Sequence, residues 1–160
     1  MKTIQLTVTE KEAIKLHKSN PGWRDALERQ FDKKLFSQDV ADRIDDWKDM
    51  MREADRPDVP MFADLPEDLR DHFQKYYKLV IMREAYEGRA KMNIYDKSVR
   101  RNYPYFATTC SPSDFRLYHS VCTYSGADAG SGSRLRVLSE ITSGFIGKNF
   151  LEIWKKVQLK

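Results

Sequence analysis

At 160 residues, a net charge of +4, 41% hydrophobic and 32% charged content, the chain has the size and balance of one globular domain over 1–160, whose folding takes roughly 70% of its extended-chain surface out of water. No apolar run approaches the ~20 residues of a membrane span, the opening MKTIQLTVTEKEA alternates polar and apolar residues where a secretory signal is continuously apolar, and Cys110 and Cys122 are too few for a disulfide framework. Membrane contact and export are therefore not expected, and a cytoplasmic setting is.

Thr3 to Val8 sets Ile4, Leu6 and Val8 against Thr3, Gln5 and Thr7, a period of two that predicts a strand with one buried face. At Thr9 the period changes. Thr9-Glu10-Lys11-Glu12 is a capping box opening a short helix through Lys18 that buries Ala13, Leu16 and His17. Asn20-Pro21 repeats the start signal, and Trp23, Leu27, Phe31 and Leu35 share one face of a second helix. Ser37 caps a third, with Val40, Ile44, Trp47 and Met51 as its apolar stripe and Asp39, Asp42, Asp45, Asp46 and Asp49 opposite. Pro57, Pro60 and Pro66 make the next stretch a semi-rigid connector. Asp64 then caps a long helix from about Pro66 to Glu87 with Leu69, Phe73, Tyr77, Val80 and Ile81 inward and Gly88 as its stop.

The basic, aperiodic stretch 89–102 reads as an ordered loop leading into a hairpin: YPYFATTC, the turn Ser111-Pro112-Ser113-Asp114, and FRLYHSVCTY. In its second strand Phe115, Leu117, His119 and Val121 share the inner face, and Arg116, Tyr118, Ser120, Cys122 and Tyr124 the outer one. SGADAGSGS connects to a third strand, SRLRVLS, with Leu135 and Val137 inward and Arg134 and Arg136 outward. Residues 139–157 have a helical pattern that offers Ile141, Phe145, Phe150, Ile153, Trp154 and Val157 for burial. Gly144 and Gly147 within it suggest a close backbone contact or a broken first turn.

The charge is unevenly divided: residues 1–96 hold 18 Lys and Arg against 20 Asp and Glu, and residues 97–160 hold 10 against 4. The basic end suits an anionic partner. Its outward positions, Arg116, Tyr118, Tyr124, Arg134 and Arg136, form the candidate binding face, where guanidinium groups meet phosphates and tyrosine rings stack on bases or on a protein surface. No aromatic-rich string of the RNA-recognition type accompanies them. Cys110, Cys122 and His119 do not reach the four ligands a structural zinc needs, and the parity of Cys122 and His119 separates them as a nucleophile–base pair. The aspartates lack the loop and central glycine of a calcium site. GFIGKN has neither the glycine spacing nor the hydroxyl of a phosphate loop. Neither a catalytic residue nor a cofactor or metal is expected.

The strings LTVTEKEA, FDKKLFSQ, YYKLVIMREAYEG, GSRLRVLS and GKNFLEIWK resemble a family of small uncharacterised proteins encoded by Bacteroides-group gut bacteria, their prophages and phages. The resemblance implies a mobile-element context in a bacterial host, in which small single-domain proteins act by binding host or phage macromolecules. It transfers no activity to any position.

The expected architecture is α+β: an antiparallel sheet of about four strands, formed by the N-terminal strand, the C-terminal hairpin and the third strand, packed against a helical middle and a C-terminal helix. Two function classes follow. One is a non-enzymatic accessory protein that binds a host or phage protein; the other is a nucleic-acid-binding module using the basic Arg/Tyr face.

Overall fold

The computed structural model describes residues 7–88, 96, 98–109, 111–124 and 135–159, with the side chains of 123 and 124 excepted. It has an α+β fold in which a small antiparallel sheet packs against helices from both sides of it in sequence. The expected strand Thr3–Val8 lies outside the described residues save for Thr7 and Val8, which carry no strand.

Helix α1, Glu10–Ser19, opens on the capping box: the Glu12 N–H donates to Thr9 Oγ1 at 3.3 Å and the Thr9 N–H to Glu12 Oε2 at 2.8 Å. Asn20 accepts the Gly22 N–H at 3.1 Å and starts a 3-10 turn, Pro21–Trp23, that runs into α2, Arg24–Gln30. The second helix is shorter than its apolar spacing predicts. Phe31 turns extended, and Asp32 caps a separate 3-10 turn, Lys33–Phe36, which buries Leu35. His17 stacks on Phe36, with ring centroids 4.2 Å apart, and meets Glu28 Oε1 at 2.8 Å. Ala13, Leu27 and Leu35 are buried apart from the main core.

The aspartate-rich segment corrects the sequence reading most. Helix α3 covers only Trp47–Ala54, and Asp46 is its N-cap, accepting the Asp49 N–H at 2.9 Å. Asp39 accepts the Ala41 N–H at 2.9 Å, Asp42 takes the Ser37 hydroxyl, and Asp45 pairs with Lys34 at 3.1 Å. Short acidic side chains compete with the helix by bonding nearby backbone, so of the five aspartates expected on one helix face Asp49 alone lies within α3, where it pairs with Arg52 at 2.6 Å, and the other four serve caps, a serine hydroxyl and an ion pair before it. Ile44, Trp47 and Met51 still pack on the core from the irregular segment and α3. Trp47 is half-buried, with Lys78 Nζ 5.3 Å from its ring centroid.

Asp55 ends α3 in the left-handed region, and the proline connector follows. The next helix, α4, holds it in place: Arg70 donates to the carbonyls of Ala63 and Leu65, and Gln74 to that of Met61. Helix α4, Glu67–Glu87, begins after Pro66 rather than on an Asp64 cap and stops at Gly88, φ 76°. At about 31 Å it is the spine of the domain. Its first half is open, leaving Leu69 and Phe73 each 44% exposed where they were expected inward, while seven successive residues from Leu79 to Ala85 are buried. Full enclosure of a helix takes in its polar positions too. Glu84 receives Arg56 through two bonds of 2.6 and 2.8 Å, and Arg83 donates to the carbonyls of Gly88 and Arg136.

Strands β1, Arg100–Ala107, and β2, Arg116–Tyr124, form the hairpin around a 3-10 turn, Pro112–Asp114. β1 thus starts inside the stretch expected to be loop. Over its described residues the third strand amounts to one bridge, in which Asn102 and Val137 exchange N–H···O bonds of 2.7 and 2.9 Å. Two residues further on, the position facing that neighbour is Pro104, which has no N–H to offer, so the pairing ends. Leu135 and Val137 are buried as expected. The C-terminal helical stretch is two helices, α5, Glu140–Asn149, and α6, Leu151–Gln158, broken at Phe150. Gly147 of α5 sits against Pro104 and Leu117, whereas Ile141 is 86% exposed and Phe145 39%. Trp154 of α6 closes the core against Phe106 and its stacked partner Phe115.

Candidate functional site: an aromatic knob and a cleft at the sheet edge

The sheet register carries one irregularity, and it decides which side chains face outward. Tyr105 pairs with His119 but Phe106 pairs with Leu117, so Tyr118 is the extra residue of a β-bulge. A bulge reverses the alternation of faces on its strand. Before it, Phe115 and Leu117 face α5 and α6 while Arg116 is exposed; after it, Ser120 and Cys122 lie on the same face as their partners Pro104 and Asn102, both buried. His119, expected inward, is exposed, and Val121 pairs with Tyr103 on its side of the sheet. Ser120 and Cys122, expected outward, are on the covered side.

The consequence is a knob of three rings. Tyr118 and His119 both emerge at the bulge, 65% exposed in the case of Tyr118, and meet Tyr105, itself 50% exposed. Ring centroids are 4.6 Å apart for Tyr118 and His119, 5.4 Å for Tyr105 and His119, and 6.4 Å for Tyr105 and Tyr118, all in tilted or edge-on contact. Arg116 is exposed two residues before Tyr118. Towards the other end the same face closes: Tyr103 is half-buried under Arg136, whose guanidinium carbon is 5.4 Å from its centroid, and Arg101 is 3% exposed.

Of the five residues proposed from sequence, Arg116 and Tyr118 stand together at the knob, and Arg136 lies apart on Tyr103. Arg134 and the side chain of Tyr124 lie outside the described residues, although Tyr124 is in register with Arg100. Tyr105 and His119 were missed. Tyr105 could have been read as outward from the alternation of β1, but His119 could not, because nothing in FRLYHSVCTY marks the bulge.

A cleft of about 540 Å³ borders the knob, lined along β1 by Tyr103, Pro104, Tyr105 and Phe106. Successive strand residues point to alternate faces, so a cavity touching four in a row runs along the strand's edge. Among the described residues, this edge is bridged at Asn102 to Val137 alone. α4 contributes His72 and Tyr76 to the cleft, and α6 contributes Trp154.

Reactive chemistry is sparse among the described residues. No three His, Cys, Asp or Glu side chains converge on a point where a metal ion could bind. Cys122 Sγ accepts a 3.2 Å bond from Arg100 Nε and lies on the opposite face from His119, while Cys110 is outside the described residues. No described helix is long and apolar enough to cross a membrane. No protein-family model matches the chain, and neither a curated protein nor a solved structure matches it.

Proposed function

We propose that the chain is a non-enzymatic accessory protein of a phage or mobile element that binds a host or phage protein through the knob of Tyr105, Tyr118 and His119. The mobile-element setting rests on the sequence resemblance. The binding reading rests on one observation, the three rings packed together in solvent beside Arg116. Tyrosine and arginine dominate the energetics of protein interfaces because they bury much apolar area and keep a polar handle. A raised ring cluster suits a pocket on a partner. It suits successive bases less well, because rings in edge contact cover part of the faces on which bases would stack.

Charge supports the same order. The nucleic-acid alternative draws on the basic excess of residues 97–160, but among the described arginines there Arg101 is buried, Arg136 lies across Tyr103 and Arg100 contacts Cys122. Arg116 is the described member of the expected platform that stands exposed at the knob.

The experiment is affinity capture from lysate of a Bacteroides-group host, with and without nuclease, using the natural chain and a Tyr118→Ala/His119→Ala variant. The expected result is one protein retained after nuclease and lost with the variant, with each substitution costing about 2 kcal/mol as an interface anchor does. Capture that nuclease abolishes, together with nucleic-acid binding that weakens steeply with salt and with Arg116→Ala, would replace this reading with the nucleic-acid one.

A further inference from the structure

A smaller pocket lies where the proline connector crosses the open half of α4. Its volume is about 220 Å³, and Phe62 of the connector lines it together with Phe73, Tyr77, Val80 and Ile81 of α4. The charged side chain among its described lining residues, Arg56, already holds Glu84 through two bonds, so the interior is apolar. That volume is below the roughly 300–1,000 Å³ of small-molecule sites and above the roughly 150 Å³ of a cavity that admits benzene. It is room for one large apolar side chain. The surface around the mouth is apolar as well: Leu69 stands one turn before Phe73 on α4, and Met61, next to Phe62, is 73% exposed.

The wall at Phe62 is fixed by its surroundings. Phe62 has φ 50°, in the left-handed region that bulky side chains rarely adopt. Bonds on both sides impose it. Gln74 donates to the Met61 carbonyl at 3.3 Å, Arg70 to those of Ala63 and Leu65 at 3.2 and 3.0 Å, and the Leu65 N–H to the Phe62 carbonyl at 3.0 Å. Backbone conformations of this kind persist only where neighbouring contacts over-determine them, and they cluster at ligand clamps. The Phe62 ring centroid is thereby kept 6.0 Å from that of Phe73. The pocket is formed before anything enters it, which lowers the ordering cost of binding.

Charge names the occupant. Residues 57–69 carry Asp58, Asp64, Glu67 and Asp68 and no lysine or arginine, in a chain whose net charge is +4. All four acids are exposed, and among the described residues none of them forms an ion pair. We propose that this pocket docks a basic amphipathic segment of a partner protein. One large apolar side chain of the segment fills the pocket, its apolar neighbours lie on Met61, Leu69 and Phe73, and its lysines or arginines run along the four acids. Apolar anchors in a groove with complementary charge at its border are a recurring mode of peptide recognition. This surface is separate from the knob, and either can fail without the other.

The test uses the full chain, titrated by calorimetry and by methyl-resolved NMR with an amphipathic Leu/Lys peptide that carries one central phenylalanine. A Leu/Glu counterpart reverses the charge, and a version with alanine in place of the phenylalanine removes the anchor. The Leu/Lys peptide should bind one-to-one and move the Val80 and Ile81 methyl resonances, and both counterparts should bind at least about tenfold more weakly, a gap of about 1.4 kcal/mol. Phe73→Ala, at a position 44% exposed, and the triple variant Asp64→Asn/Glu67→Gln/Asp68→Asn should each lose about tenfold in affinity. Binding lost instead with Tyr118→Ala/His119→Ala would place the peptide on the knob and overturn the proposal. Equal binding of either counterpart, no movement of the two methyl resonances, or no binding at about 1 mM peptide would also overturn it, and these readouts need no substitution at the pocket.

Discussion

Two glycines three residues apart in α5 should respond to alanine with opposite signs. A Cβ built on Gly147 would lie 2.6 Å from the Cβ of Pro104 and 2.8 Å from Cδ1 of Leu117, about an ångström closer than carbon atoms rest at their optimum. Leu117 can rotate away, but the proline ring is fixed on β1, so α5 must lift from the sheet. Overpacking of this kind costs ~1–3 kcal/mol, against which the better helix propensity of alanine returns ~1 kcal/mol. Gly147→Ala should therefore lose ~0–2 kcal/mol, about 1 kcal/mol at the middle of that range. At Gly144 an added Cβ meets nothing within 4 Å, so only the propensity acts and Gly144→Ala should gain ~0.5–1 kcal/mol. Urea unfolding of the two variants side by side, followed by far-UV circular dichroism, should separate them by ~2 kcal/mol, well outside extrapolation error. Equal stabilities of the two variants would refute the close approach of α5 to Pro104 on which the placement of the hairpin rests.

Arg56→Ala leaves the Glu84 carboxylate, 4% exposed, short of its two-bond guanidinium partner and should cost ~3 kcal/mol or more in urea unfolding; Glu84→Leu, which removes the buried charge itself, should cost less. Asp46→Ala should lose ~1 kcal/mol with the cap of α3, whereas Asp45→Ala, whose pair with Lys34 is mostly in solvent, should stay within about 0.5 kcal/mol of the natural chain. The hydrogen bond from His17 holds the Glu28 carboxyl below its usual 4.5. A depressed carboxylate contributes stability that is complete above its unfolded value and lost as pH falls through the folded one, so Glu28→Gln should flatten the acid limb of stability against pH below about 4.5, and an unchanged limb would count against the pair.

Several signals that act over four residues or fewer were legible in the sequence and found in place, namely the Thr9 capping box, the Asn20-Pro21 start, the Gly88 stop and the four-residue turn of the hairpin, whereas the caps expected at Ser37 and Asp64 do not start helices. Each is a backbone hydrogen-bonding arrangement that depends on its own neighbours. Periodicity misled where polar side chains serve the backbone. Val40, Ile44, Trp47 and Met51 keep helical spacing, but Asp39 and Asp46 accept backbone N–H groups and end the helical turns that this spacing implies. The exposure of Leu69, Phe73 and Ile141 was illegible for a different reason. Apolar spacing marks a face that could be buried, and whether a neighbour covers it depends on the length and angle of other elements.

The candidate binding face shows how much one residue of register can change. Counted by twos, FRLYHSVCTY puts His119 in the core and spreads the arginines and tyrosines of the C-terminal third over one outer surface. The bulge at Tyr118 breaks that count at its middle, because Leu117 and Pro104 must both meet Gly147 of α5 while Phe106 turns in toward Trp154. Packing on the covered side therefore sets what the open side displays. It moves His119 out to join Tyr105 and Tyr118, and of the described arginines further along the face Arg101 is enclosed and Arg136 is laid across Tyr103. A surface that composition makes look broadly basic becomes a compact aromatic projection with Arg116 beside it. That geometry is suited to entering a partner's pocket more than to following a phosphate backbone, whose spaced charges need spaced cations.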